Sequence, residues 1–217
     1  MWVGRIPMLA MTSVRPSHIH QDFLVSWGSV PLLASFCSLS LMAKSDSFFI
    51  RANLNCGGST ATGFNTYMEN PIDLGAYVDA LGKSVLRIHN IAVSFTDDRG
   101  TSVEITGAGD CAAQFWLFTQ SQTAAVLPSN KACIASGTVI ASRDNTSGNG
   151  IAARCYDQFD NLPQLWTNGY LIAVDTMYLG GQASELWEGD VYVSVTMECT
   201  VETMTQAAAM ALALSQQ

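Results

Sequence analysis

The stretch Asp190–Met204, DVYVSVTMECTVETM, limits the possible folds more than any other part of this chain. Val191, Val193, Val195, Met197, Cys199 and Val201 fall on odd positions, and Tyr192, Ser194, Thr196, Glu198, Thr200 and Glu202 on even ones. Alternate side chains of a strand point to opposite faces, so one face of this segment is apolar and the other wet. The run is about twice the usual strand length. A slip of one residue would turn the whole apolar row to solvent, which fixes the register. The segment predicts a long antiparallel strand lining the core of a β-sandwich.

The remainder of the chain fits that frame. Ser47–Leu54 (SFFIRANL) is rich in β formers and reads as the first strand, ended by Asn55-Cys56-Gly57-Gly58 and followed by a polar loop from Ser59 to Asn70. Pro71–Leu81 reads as a short helix or a strand. Ser84–Thr96 (SVLRIHNIAVSFT) reads as a strand whose apolar residues occur on both parities, as in a central strand covered on both faces. Asp97-Asp98-Arg99-Gly100 is turn chemistry, and Thr101–Thr106 alternates as a strand. Ala112–Thr119 is an aromatic strand. Ala124–Ile140 holds two short apolar runs, and Ser142–Gly150 reads as a loop. Ile151–Trp166 fits no single element. Gly169–Leu179 (GYLIAVDTMYL) reads as one strand with Gly180–Ser184 as its turn. About eight strands at this spacing, with no βαβ alternation and no repeat of 20–50 residues, predict an all-β antiparallel sandwich. At the end, Ala207–Ala213 is nearly all Ala, Met and Leu, which predicts a short C-terminal helix with an N-cap at Thr203 or Thr205.

The chain divides into residues 1–41 and a single sandwich domain, 42–217. The first segment holds two of the three His residues and an uncharged run, Phe23–Ala43. Three readings of it stand open: a membrane-spanning or anchoring helix, a signal-like segment cleaved near Ala43, or leader sequence or a structural arm ahead of Met42-Ala43-Lys44-Ser45. Retained, Phe23–Ala43 offers membrane contact.

Composition excludes some functions. Of the 217 residues 48% are hydrophobic and 13% charged, which supplies a core and leaves a surface of Ser, Thr, Asn, Gln and Gly. From Met42 onward eight Lys and Arg stand against seventeen Asp and Glu, so no direct nucleic-acid contact is expected. The Cys residues at 37, 56, 111, 133, 155 and 199 have no C-x-x-C spacing and no nearby His, which argues against zinc and leaves disulfides open.

Catalytic signatures are missing. Gly57-Gly58 lacks the Lys-Ser/Thr of a phosphate loop, and there is no G-x-S-x-G. His89 reads as a core or interface imidazole. Asp157 and Asp160 are a carboxylate pair by proximity, and Asp97 and Asp98 offer oxygens to a cation, but both pairs read first as turns. Trp116, Trp166 and Trp187 read as core or as a sugar-stacking platform. Asn145-Thr146-Ser147 is a glycosylation acceptor pattern. No enzyme activity, cofactor or metal is expected.

Taken together, the strand count, the low charge, LRIHNIAVSFTDD, NGYLIAVDTMYLGG and DVYVSVTMECTVETM make Met42–Gln217 similar in pattern to the single jelly-roll coat proteins of icosahedral viruses. That resemblance implies a jelly roll, self-assembly with copies of itself and with other coat proteins, and a place in the virion. It carries over no site residue, and the basic arm many such proteins carry is missing. The alternative is a secreted or surface carbohydrate-binding sandwich module. The C-terminal helix has little polar face, so Met204, Ala207, Ala209, Met210, Leu212 and Leu214 are the expected assembly interface.

If only the odd row of Asp190–Met204 is buried, Val193→Asp abolishes soluble folding, because it places an unpaired charge in the core. Tyr192→Asp and Thr196→Asp remain soluble and fold. Expression and circular dichroism of the three variants check this, and equal damage from both parities contradicts it.

Overall fold

The computed structural model describes residues 46–58, 65–79, 83–106, 109–144 and 152–217, all within the unit Ala43–Gln217. The expectations for residues 1–41, for Phe23–Ala43 and for Asn145–Ser147 lie outside the described residues, as does the first half, 59–64, of the loop expected from Ser59 to Asn70; the end of that loop, from Met68, is instead strand. The elements in chain order are β1 (Phe48–Asn55), β2 (Met68–Asp73), β3 (Ser84–Thr96), β4 (Gly109–Phe118), β5 (Cys133–Asp144), β6 (Ala152–Asn161), a 3-10 turn (Pro163–Leu165), β7 (Tyr170–Ile172), β8 (Thr176–Ala183), β9 (Tyr192–Thr203) and α1 (Gln206–Ser215).

The strands form two antiparallel sheets, β1-β9-β3-β7 and β2-β8-β4-β5-β6. With β6 set aside, the pairs β1·β9, β2·β8, β3·β7 and β4·β5 nest one inside the next, first strand with last. Such nesting is a long two-stranded ribbon, and wrapping it into two layers makes the remaining contacts β9·β3 and β8·β4. The fold is therefore a jelly-roll β-sandwich. The expected class holds, with β6 as an added edge strand.

The core lies between the sheets. In β9 the odd residues Val193, Val195, Met197 and Cys199 are buried, while even residues from Tyr192 to Glu198 are half-buried. Facing them, Phe115 and Leu117 of β4 and Met177 and Leu179 of β8 are fully buried. Each such side chain contributes roughly 1.5–3 kcal/mol by leaving water.

The mixed parity of β3 has a cause other than burial on both faces along its length. The pairing with β9 steps from Ile88↔Cys199 to Asn90↔Glu198, which leaves His89 as the extra residue of a bulge. Leu86 and Ile88 before the bulge, and Ile91, Val93 and Phe95 after it, consequently join the same core. Val85 alone among the buried β3 residues belongs to a second cluster on the outer side, with Ala209 and Ala213.

Several boundaries differ from expectation. Gly169–Leu179 is two strands in different sheets: β7 pairs with β3, and after Ala173–Asp175 the chain crosses to β8, which pairs with β2 and β4. Gly180 and Gly181 are not a turn but the interior of β8. A β-carbon on Gly181 would stand 2.4 Å from Cys56 Sγ and 3.0 Å from Leu54 Cδ2, and one on Gly180 would stand 2.5 Å from Tyr67 Oη. Close approach from other elements, rather than a bend, demands glycine there. Thr101–Thr106 is not a strand; Ile105 makes one isolated bridge to Trp187. Pro71 lies in the edge strand β2, where its missing N–H costs no ladder bond, and the chain turns at Gly75–Tyr77. The loop expected from Ser142 begins later, because β5 continues to Asp144. Cys56, Cys133 and Cys199 are buried free thiols, and Cys111 is buried with its Sγ 3.5 Å from the Ala141 carbonyl oxygen.

Gly181→Ala tests the packing account. It overpacks the space between the sheets and lowers stability by roughly 1–3 kcal/mol. Gly189→Ala, whose β-carbon meets nothing within 4 Å, changes stability by less than about 0.5 kcal/mol. Denaturant melts of both variants decide the matter; equal effects would contradict it.

Candidate functional site

Groups that carry chemistry are held in structural roles. Burial pushes the Cys56 and Cys199 thiols up to about 12 and the Cys133 thiol to about 11, so none offers a thiolate at neutral pH. His89 Nε2 lies 2.9 Å from Thr200 Oγ1 across the bulge. Asp97 accepts from Thr101 N–H at 2.7 Å, Thr101 Oγ1 at 2.8 Å and Arg99 N–H at 2.9 Å. Those bonds, chiefly the two from Thr101, hold its carboxyl down at about 2 and make it the organiser of the turn after β3. Glu202 accepts from Arg87 Nε at 2.5 Å and Nη2 at 2.9 Å, which holds its carboxyl below the usual range. Arg87 Nη1 also donates to the Asn168 carbonyl oxygen, so the pair pins the β7 approach to the outer face of β3 and β9.

The aromatic candidates do not assemble. Trp116 packs with Phe118, Ala132 and Cys133 on the outer side of the five-stranded sheet, Trp187 belongs to the main core, and Trp166 is exposed after the 3-10 turn. Two of the three rings are buried in separate clusters, so they form no common sugar-stacking platform. Asp157 and Asp160 lie on β6, and their side chains are outside the described residues. Among the described residues no group of three His, Cys, Asp or Glu is placed to hold a metal ion.

The C-terminal helix carries apolar side chains on both its inner and its outer face. Thr205 is its N-cap, with Oγ1 accepting from Ala208 N–H at 3.3 Å. Just before the cap, Met204 N–H donates to the Lys83 carbonyl at 2.7 Å, so the helix starts where β9 leaves β3. Ala209 and Ala213, one turn apart, pack on Val85 of β3 and on Ala173, with Met204, Leu171 and Leu212 closing the contact. Small side chains on the inner row let the helix lie close to the sheet.

Gln216 fastens the other end. Its side-chain Oε1 accepts from Ala173 N–H at 2.9 Å, and Nε2 donates to the Leu171 carbonyl at 2.7 Å. Its main-chain carbonyl accepts from Thr119 Oγ1 at 2.9 Å and Gln120 Nε2 at 3.0 Å, just past the end of β4. One buried residue thus links the helix to segments of both sheets.

The six residues singled out in the sequence are split between two faces. Met204, Ala209 and Leu212 turn toward their own domain. Ala207 is exposed on the opposite side, together with Met210 at 43% and Leu214 at 69%. Spaced i, i+3 and i+7, these three form one outward apolar row, and exposed Ala211 lies beside them. Gln216 and Thr119 had no signal in the sequence, since their value depends on contacts 97 residues apart.

No family model matches this chain and no curated protein matches it. Solved structures to which it is similar include Merkel cell polyomavirus VP1 as an unassembled pentamer, at 10% identity and a TM-score of 0.33, covering 72% of this chain and 96% of that one. Another is VP1 of trichodysplasia spinulosa-associated polyomavirus in complex with GM1 oligosaccharide, at 11% identity and a TM-score of 0.34, covering 74% and 96%. Likenesses of that order carry no argument here. The jelly-roll assignment rests on the sheet order and pairing.

Proposed function

We propose that this chain is a structural subunit that self-assembles into a viral capsid or a similar closed shell, with the outward row of α1 seated on a neighbouring copy. The observation that carries the reading is the two-faced helix. Its inner row is already anchored on Val85 and Ala173, yet Met210 and Leu214 remain exposed on an element without a single charge. Copies of this chain, and other coat proteins, are its partners, and the virion is its place. Direct nucleic-acid binding is disfavoured by the net charge of −8. Among the described residues no helix is long and apolar enough to cross a membrane.

Burying a Met and a Leu contributes roughly 1.5–3 kcal/mol each, a weak contact on its own. Closed symmetry repeats the same contact around the assembly, so weak contacts suffice there. The net charge makes copies repel at low ionic strength, and salt screens that repulsion.

Sedimentation velocity of the full chain across concentration and salt tests this reading. The wild type forms large species, more of them at high salt. The double variant Met210→Asp, Leu214→Asp melts at the same temperature but stays small. Equal assembly of that variant, or a wild type that is a monodisperse monomer at high concentration, overturns the reading.

A further inference from the structure

The four-stranded sheet has two open sides, and on both of them side-chain amides occupy main-chain positions. On one side is β1, where Asn70 Nδ2 donates to the Asn53 carbonyl at 3.0 Å. On the other, β7 covers β3 only along Leu86–Ile88. Beyond that, Gln164 binds both main-chain groups of Ile91: its Oε1 accepts from Ile91 N–H at 3.1 Å and its Nε2 donates to the Ile91 carbonyl at 2.9 Å. Gln216 does the equivalent just outside β7, taking Ala173 N–H and the Leu171 carbonyl. A primary amide carries the same acceptor and donor as a peptide group, so each Gln imitates one residue of an adjoining strand.

Sheet edges invite strands from other molecules, and Lys, Pro or bulges usually blunt them. The run Ile91–Thr96, IAVSFT, has no charge and no Pro. Groups two residues apart point the same way along a strand, so the N–H and carbonyl of Val93 and Phe95 face the side that Gln164 guards. Among the described residues no strand pairs with that side of β3 after Ile88. The 3-10 turn that carries Gln164 is itself fixed by Leu165 N–H to the Leu162 carbonyl and Trp166 N–H to the Pro163 carbonyl, each 3.0 Å, with Leu162 and Pro163 buried.

We propose that Asn70, Gln164 and Gln216 are edge plugs, and that Gln164 in particular keeps β3 from pairing edge to edge with β3 of a second copy of this chain. The plug is an autoinhibitory contact: the Ile91 N–H and carbonyl that would start such a pairing are already bonded within the subunit. It stands whether or not α1 seats on a neighbour.

The test is the full chain with Gln164→Ala, an exposed position whose loss leaves the core intact. In dilute solution the Ile91 amide exchanges with solvent about tenfold faster than in the wild type. At high concentration the variant gains a dimer, and the Val93 and Phe95 amides become protected in it. Adding Val93→Pro, which deletes an edge N–H and spares the ladder to β9, removes that dimer. Residue-level exchange distinguishes this dimer from association through α1, and it reads the edge even if the Pro variant folds poorly. Unchanged Ile91 exchange, or association without protection of Val93 and Phe95, overturns the proposal.

Discussion

The pairing of β9 between β1 and β3 is the interaction on which the rest depends. β9 is the last strand in sequence and lies between β1 and β3, so β1 has no partner in its sheet until β9 is placed. Its alternation leaves one usable register, because any odd slip would expose Val193, Val195, Met197 and Cys199 together. The bulge at His89 then lets both halves of β3 present apolar residues to the same core. Register also decides where the helix begins. Since Met204 still bonds to Lys83, α1 starts directly over Val85, and Gln216 arrives beside Ala173 and Thr119.

Features carried by local period were legible in the sequence. The one-sided row of β9, the extent of β3, the turn at Asp97–Gly100 and the existence of a short helix all follow from alternation, turn residues or composition. Features set by contacts distant in sequence were not. GYLIAVDTMYL reads as one strand because crossing from one sheet to the other at Ala173–Asp175 leaves no mark in hydrophobic pattern. Gly180-Gly181 reads as a turn because the intrusion of Tyr67 and Cys56 is invisible locally. The helix posed a related difficulty. With Ala, Met and Leu all around it, no polar stripe tells the inner row Ala209 and Ala213 from the outer row Ala207, Met210 and Leu214.

Low charge runs through the structure as a single theme. Along the open sides of the four-stranded sheet, neutral amides from Asn70, Gln164 and Gln216 bond main-chain groups. The strong electrostatic contacts that remain, Arg87 with Glu202 and Asp97 with its own turn, fix local geometry and leave the helix face free of charge. On that helix Met210 and Leu214 stay exposed.

Electron microscopy of the full chain, concentrated at moderate salt, tests the central claim most directly. A subunit that seats α1 on its neighbours around a closed symmetry gives uniform shells or rings built from this jelly roll. A field of single sandwich-sized particles at every concentration would contradict it.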